Sequence, residues 1–178
     1  MGAVLTQNTA WPNVEKALMQ LKAYGLLDPA VLFDVGLERL ASVIRPAGSY
    51  RVKARRLHNL LVFLGRDCGK SLRSFSAADT LLLRARLLAV NGIGPETADS
   101  ILLYALNRPV FVVDAYTRRI FSRHRLIEGT EEYAQIQGMC MRHLGPDVAW
   151  FNEYHALLVR LGKEYCRKQQ PRCEQCPL

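Results

Sequence analysis

The residues best suited to bind an anion lie in a short turn, Gly92-Ile93-Gly94-Pro95. Two glycines one residue apart permit positive φ values and allow a ligand to approach the backbone closely. Pro95 suits the first helical position, because its missing N–H would have had no intrahelical partner there. The turn therefore predicts unpaired backbone amides at a helix N-terminus, where hydrogen bonds and the helix dipole together favour a phosphate. Many such turns merely join two helices, which is the competing interpretation.

The cysteines are a second group of residues that could do chemistry. The chain contains five of them, and three crowd the C-terminus as Cys166, Cys173 and Cys176. The odd total and the crowding of three cysteines at one end argue against a secreted disulfide framework. They favour ligation of a metal or cluster. Cys68 and Cys140 stand singly among helical patterns and are interpreted as half-buried thiols without reactivity.

A single carboxylate, Asp114, follows the apolar run Val110-Phe111-Val112-Val113 and precedes an arginine-rich stretch. An isolated aspartate in this place is expected to cap the helix that begins at Ala115. The apolar run is strand-like, but it is too short and isolated to predict a sheet.

The elements around these groups are predicted from apolar residues at helical spacing, which occur over 14–21, 54–64, 80–89, 98–105 and 148–161. Pro12 is placed to open the first helix. The second helix carries a basic face formed by Arg51, Lys53, Arg55, Arg56 and His58. We interpret this face as exposed to solvent, and contact with phosphates is the alternative. These patterns predict an all-α protein.

Composition places the chain among soluble globular proteins, with 49% apolar and 22% charged residues over 178 positions. The formal net charge of +8 favours an anionic partner such as nucleic acid. No apolar run reaches the roughly 18 residues that a membrane span needs. Because the start also lacks the features of a secretory signal, we expect a cytoplasmic protein without membrane contact.

The order of these features closely resembles the signature of the endonuclease III superfamily of DNA glycosylases. The glycine turn is followed by an amphipathic helix, then Asn107-Arg108-Pro109, the valine run, Asp114 and a helix with Arg118, Arg119 and Arg123. Near the start, Leu5-Thr6-Gln7-Asn8-Thr9 resembles the family's glutamine-bearing loop. The nearest resemblance is to the monofunctional 3-methyladenine-type (alkylpurine) subgroup, on the segments Thr6-Gln7-Asn8-Thr9-Ala10-Trp11 and Gly94-Pro95-Glu96.

The resemblance implies a two-lobed helical fold in which residues 1–178 form one catalytic unit. A central lobe is expected over about 14–125, with the helix-hairpin-helix at about 85–106. The second lobe is expected over 126–178 together with the extreme N-terminus, and it carries the cysteine loop at 166–178.

The implied activity is excision of a damaged base, above all an alkylated purine, or of a mismatched base from double-stranded DNA after base flipping. Asp114 would stabilise the positive charge that forms on the sugar when the N-glycosidic bond breaks, a role compatible with helix capping. Family members that also nick the backbone carry a lysine where this chain has Glu96. A carboxylate cannot form the imine, so a water-based reaction is implied. Lys53 and Lys70 could in principle supply the amine instead, but their spacing from the glycine turn does not favour either.

The resemblance also implies the residues that contact DNA. The backbone contacts are expected at Gly92, Ile93, Gly94 and Thr97, and Gln7 is expected to enter the gap left by the everted nucleotide. Several aromatic residues could line a pocket, although such residues are more often part of a core: Trp11, Tyr50, Tyr104 and Tyr116. A monomer is expected.

The terminal cysteines have the spacing with which the family begins its Cys-x6-Cys-x2-Cys-x5-Cys ligation of a 4Fe-4S cluster. The fourth ligand would fall beyond Leu178, and we expect both ends of the chain to be trimmed. Two alternatives stay open, a zinc site completed by a residue such as His155 and a loop without metal.

Two alternative functions are also left open. One is a bifunctional glycosylase and AP lyase that uses an unexpected amine. The other is a non-catalytic helix-hairpin-helix module, in which the turn binds phosphate and Asp114 is only a helix cap.

Overall fold

The computed structural model describes residues 1–67, 75 and 78–178 of the chain. Its helices are α1 Gly2–Leu5, α2 Trp11–Ala23, α3 Pro29–Leu32, α4 Leu37–Val43, α5 Tyr50–Asp67, α6 Thr80–Leu88, α7 Pro95–Leu106, α8 Ala115–Arg123, α9 Tyr133–Leu144 and α10 Val148–Glu164. Short 3-10 turns occur at Arg45–Ala47 and Cys173–Gln175. Over the described ranges there is no strand, which confirms the all-α class. Among the same residues, no helix is both long and apolar enough to cross a bilayer.

Several helices begin at an acidic residue that caps them. Asp79, Asp114 and Asp147 open α6, α8 and α10, and each carboxylate accepts a hydrogen bond from the amide three residues later. The start of α9 is a capping box between Glu132 and Gln135. Such caps satisfy amides that have no partner within the helix, so they explain where these helices start.

The chain divides into two compact units, Met1–Ala98 and Asp99–Leu178, with the boundary inside α7. The lobes expected from the sequence, about 14–125 and 126–178 with the N-terminus, have different boundaries from these units and stay a prediction.

In the first unit, the predicted apolar faces of α2 and α5 are buried. The buried positions are Val14, Ala17 and Leu21 on α2, and Ala54, Leu57 and Leu61 on α5. Helix α4, which periodicity did not predict, packs against α5. Its seven residues are too few to show an amphipathic repeat clearly.

In the second unit, residues 110–113 are buried and belong to no helix. The ring of Phe111 packs edge-on against Phe151, with centroids 5.6 Å apart. Gln137 on α9 donates to the carbonyl of Phe111 at 2.7 Å and to Oδ2 of Asp99 at 2.8 Å. The segment is therefore held by a side-chain amide and by packing, and it positions Asp114 directly after it.

Helices α8 and α10 approach each other closely in the same unit. A Cβ added to Gly162 would lie 2.3 Å from Cδ1 of Tyr116, so only glycine fits at this crossing. The crossing brings the N-terminus of α8 near α10, whose side chains then reach Asp114.

Candidate functional site

The glycine turn joins α6 to α7 within the first unit, and its first glycine is required for two reasons. Gly92 has φ +93°, a conformation that L side chains rarely adopt. A Cβ at this position would also lie 2.3 Å from Cγ of Arg56. The turn therefore depends on glycine for its backbone shape and for the space that Arg56 occupies.

The backbone amides of the turn have different partners. Ile93 is buried, and its amide donates to the carbonyl of Val90 at 3.0 Å, so this residue anchors the turn. Among the described residues, the amides of Gly94 and Thr97 have no protein acceptor. Gly94 is exposed, and a Cβ on it would meet nothing within 4 Å. Amides without a protein acceptor, as the sequence predicted, are thus present at the exposed Gly94 and at the buried Thr97, and their contact with an anion stays a prediction.

Gln7, expected to act as a wedge in DNA, is bound to the turn by its side-chain amide. Its Nε2 donates to Oγ1 of Thr97 at 2.8 Å and to the carbonyl of Gly92 at 3.1 Å. Its Oε1 accepts from Nη1 of Arg56 at 2.6 Å. In this conformation Gln7 holds the turn in shape, and the wedge role stays a prediction that requires these bonds to break.

Arg56 is a residue of this site that the sequence argument did not single out. It lies on α5 within a face interpreted as solvated, yet its stem covers Gly92 and its guanidinium binds Gln7. One helical turn later, Asn59 donates to the carbonyl of Asn91 at 3.0 Å. Arg51, Arg55 and His58 on the same helix are exposed. The spacing of Arg56 and Asn59 was visible in the sequence, but their partners lie far along the chain.

Lys53, one of the alternative lyase amines, is a buried anchor with 3% exposure. Its Nζ donates to the carbonyls of Leu5 at 2.9 Å and Ala47 at 2.6 Å. Burial and the nearby Arg56 lower the pKa of the Lys53 ammonium below its usual value. Lys70 and Cys68 lie outside the described residues.

In the second unit, the carboxylate of Asp114 is held differently at its two oxygens. Oδ1 accepts hydrogen bonds from the amide of Thr117 at 2.7 Å and from its hydroxyl at 2.9 Å. Oδ2 faces Nε2 of His155 at 3.6 Å, and each of these two side chains is 12% exposed. The predicted cap of α8 is therefore present, and it occupies only one oxygen.

These contacts determine the ionisation of Asp114. Burial alone would raise the pKa of Asp114, but the contact with His155 and the hydrogen bonds from Thr117 outweigh it and lower the pKa below its usual value. The carboxyl group is therefore ionised at neutral pH. The hydroxyl of Tyr104 contacts Nδ1 of His155, and burial together with the charge of Asp114 raises the pKa of Tyr104 to about 12. That hydroxyl therefore stays protonated at neutral pH.

The cysteine loop does not form a metal site from the residues described. Cys166 is buried, Cys173 is exposed and Cys176 lies between these extremes. Within the described ranges, no group of three or more His, Cys, Asp or Glu side chains could hold a metal ion. Three cysteines supply one ligand fewer than a four-thiolate 4Fe-4S cluster needs, so the ligand role of Cys166, Cys173 and Cys176 stays a prediction. The zinc alternative is not supported either, because the ring nitrogens of His155 face Tyr104 and Asp114.

Two arginines of α8 hold the start of the cysteine loop. Arg119 donates to the carbonyls of Cys166 at 2.7 Å and Gly162 at 3.0 Å. Arg123 donates to the carbonyls of Arg167 at 2.6 Å and Lys168 at 3.1 Å. These carbonyls lie at and after the end of α10, where intrahelical donors run out, so the arginines cap that helix.

The chain is similar in sequence to proteins of a known family. A model of the HhH-GPD superfamily of base excision DNA repair proteins matches residues 1–146. A candidate DNA repair glycosylase of Methanocaldococcus jannaschii is 46% identical over 179 aligned residues, which cover 100% of this chain and 81% of the relative.

Solved structures show the same likeness. A 3-methyladenine DNA glycosylase of H. pylori, bound to 1,N6-ethenoadenine, has a TM-score of 0.80 and 31% identity, covering 92% of this chain and 82% of that one. An endonuclease III–DNA complex has a TM-score of 0.80 at 23% identity, covering 99% and 77%. These matches confirm the resemblance to the endonuclease III superfamily, and the first supports the nearer resemblance to the alkylpurine-type subgroup.

Proposed function

The chain belongs to the HhH-GPD superfamily of base excision DNA repair proteins, and we propose that it acts as a monofunctional DNA glycosylase. In this reaction a water oxygen forms a bond to the anomeric carbon of a flipped nucleotide while the N-glycosidic bond breaks. The base leaves with the bonding electron pair, the water gives up a proton to the solvent, and an abasic site remains in an intact strand.

The observation that carries this proposal is the ionised carboxylate of Asp114. Its Oδ1 accepts two hydrogen bonds from Thr117. Among the described residues, the partner given for Oδ2 is Nε2 of His155, at 3.6 Å. A fixed carboxylate in a partly buried place stabilises the positive charge that develops on the sugar and can orient the attacking water. Asp114 is therefore the proposed catalytic residue.

The absence of a lyase amine at the expected position supports the use of water. Glu96 occupies the position of the lyase lysine in the first turn of α7, where the helix dipole favours a carboxylate without any further role. The amine of Lys53 is already bound to two carbonyls. Neither side chain is suited to attack the sugar and form a Schiff base.

Double-stranded DNA is the proposed partner. The amide of the exposed Gly94 has no protein acceptor and can bind a phosphate, and the net charge of +8 favours association with a polyanion. Gln7 is the proposed wedge, released from the turn when the strand arrives. An alkylated purine is the proposed lesion, since the related H. pylori enzyme is bound to 1,N6-ethenoadenine. A positive charge on an alkylated base also weakens its bond to the sugar.

The test is release of a free base from duplexes that each contain one alkylated, oxidised or mismatched base, read by mass spectrometry. Asp114→Asn keeps the shape of the side chain but removes its charge, so we expect at least a 100-fold slower release with unchanged duplex affinity. Asp147→Asn is the matched control, because Asp147 also caps a helix through its side chain but is exposed. Full activity of Asp114→Asn would contradict the assignment.

Borohydride trapping during the same reaction separates water from amine chemistry. We expect no covalent adduct between protein and DNA, and strand breaks only after alkali treatment. A trapped adduct would instead show a bifunctional enzyme. Duplex binding without base release from any lesion would favour the non-catalytic module.

A further inference from the structure

The imidazole of His155 joins two groups on different elements of the second unit. Its Nδ1 contacts the hydroxyl of Tyr104 on α7, and the two rings are tilted by 50° with centroids 5.9 Å apart. Its Nε2 faces Oδ2 of Asp114 at 3.6 Å. This Nε2 is buried and has no hydrogen-bond partner in the described part of the chain.

A buried polar atom without a partner is uncommon in folded proteins and calls for a physical reason. Here the atom points at the carboxylate oxygen that Thr117 leaves unused. Hydrogen bonds at catalytic groups are often long in the free enzyme and shorten when the substrate binds. The 3.6 Å separation fits a contact of this kind.

Building on the proposed function, we propose that His155 is a positioning residue for the glycosylase reaction. Held by Tyr104, it directs an N–H at Oδ2 of Asp114, which keeps the carboxylate ionised and correctly oriented beside the sugar. Thr117 fixes one oxygen and His155 fixes the other.

The proposed role requires the hydroxyl of Tyr104 to donate to Nδ1 of His155. Because the pKa of Tyr104 is raised to about 12, its hydroxyl remains protonated over the working pH range and can donate. When the hydroxyl donates to Nδ1, the single proton of the neutral ring lies on Nε2. The N–H then points at Asp114, and loss of the tyrosine hydroxyl would free the ring to adopt the other tautomer.

The groups that face Asp114 come from each neighbouring helix. His155 on α10 and Tyr104 on α7 are the titratable groups with which its charge interacts. Helix α8 contributes Thr117, and on α9 the hydroxyl of Tyr133 accepts from the amide of Val113 at 3.3 Å. Among the described residues, no lysine or arginine is among the groups that shift the pKa of Asp114.

The direction of the pH effect follows from these contacts. Burial raises the pKa of Asp114, and His155 together with Thr117 lowers it to below the usual value. Without His155, burial is opposed only by Thr117, so the pKa rises. A larger share of Asp114 is then protonated at a given acidic pH, and the acid limb of activity moves to higher pH.

In the first experiment, the chemical shift of the Asp114 carboxyl carbon is followed by NMR as the pH is changed, in the full chain and without any substrate. We expect an upward shift of its pKa in His155→Phe and a smaller upward shift in Tyr104→Phe. His143→Phe is the control, since His143 is exposed on α9, and it should leave the titration unchanged. A folded His155→Phe protein with the wild-type Asp114 pKa would overturn the proposal.

The second experiment measures single-turnover base release from a duplex containing 7-methylguanine as a function of pH. We expect His155→Phe to be on the order of 10- to 100-fold slower with unchanged duplex affinity, because misplacing a catalytic group by about 1 Å can cost about 100-fold in rate. His155→Gln retains an N–H donor and should recover part of the rate. Equal rates and acid limbs in wild type and His155→Phe would contradict the inference.

Failure of the positioning role can be distinguished from failure of the proposed function, because the NMR titration needs no glycosylase activity. If the wild-type protein releases no base from any lesion duplex, the glycosylase proposal fails while the NMR titration still decides whether His155 controls Asp114. If the wild type is active and only the variants behave as wild type, the function stands and the positioning role falls.

Discussion

The two units of the molecule use side chains and backbone in opposite ways. In Met1–Ala98, the groups available to a ligand are backbone amides of the turn, and side chains hold that backbone in shape. In Asp99–Leu178, the proposed catalytic group is a side chain, that of Asp114, and the amide of Thr117 at a helix N-terminus holds it. A backbone site depends on conformation and space, whereas a side-chain site depends on the identity of the residue.

The comparison also shows how far each site reaches along the chain. Gln7 and Thr97 are 90 positions apart, and Gln7 and Arg56 are 49 apart. Tyr104 and His155 are separated by 51 positions. Both sites therefore combine a short local motif with partners that only folding brings near.

The largest effect on stability is expected at the backbone site. Gly92→Ala combines a positive φ with a Cβ that would overlap Arg56, so we expect a loss of about 2–4 kcal/mol in the free energy of unfolding. Urea denaturation measures this. Gly94→Ala is the matched control, because its Cβ meets open space, and it should change stability by less than about 1 kcal/mol. Equal losses in both variants would refute the special role of Gly92.

A smaller loss is expected in the second unit from Gln137→Ala. This variant removes the donor to the carbonyl of Phe111 and to Asp99, both buried, at a cost of about 1–3 kcal/mol. The same change at Gln20, which is exposed on α2, is the control and should be nearly neutral. If Gln137→Ala is as stable as wild type, residues 110–113 are held by packing alone.

The smallest effect is expected from Arg56→Ala, about 1 kcal/mol, because it removes one hydrogen bond to Gln7 and the stem that covers Gly92. Arg55→Ala loses the same charge from an exposed position and serves as the control. Filter binding to undamaged duplex should weaken more for Arg56→Ala, since the turn loses its support.

A double variant sharpens this test. Truncating Arg56 makes room for a Cβ at Gly92, so Gly92→Ala should cost less in the Arg56→Ala background. Strict additivity of the two unfolding free energies would mean that the two positions do not interact.

The local parts of both sites were predictable from short stretches of sequence. The turn at residues 92–95 and the cap at Asp114 each depend on backbone preferences within a few positions. Periodicity also predicted α2, α5, α6, α7 and α10, whose apolar faces repeat over several turns. It did not predict the short helices α1, α3 and α4, or α8 and α9, although the cap at Asp114 predicted the start of α8.

The partners of these motifs were not predictable in the same way. Arg56 was read as one member of a solvated face, and His155 as a possible metal ligand. Each contacts a residue on a different element, and local conformational preferences do not predict such a contact. The binding mode of Gln7 was likewise invisible, since its partners lie on α5 and on the turn.

By itself, the amino-acid sequence determined the helical class, the glycine turn with its free amides, and the helix start that presents Asp114. These features arise from φ preferences, missing or available N–H groups and apolar periodicity, which act over one or two helical turns. Only the tertiary structure decided that Gln7 supports the turn, that Lys53 is an anchor, and that His155 faces the carboxylate. These contacts come from helix packing, which brings together residues whose separation along the chain carries no signal of their proximity.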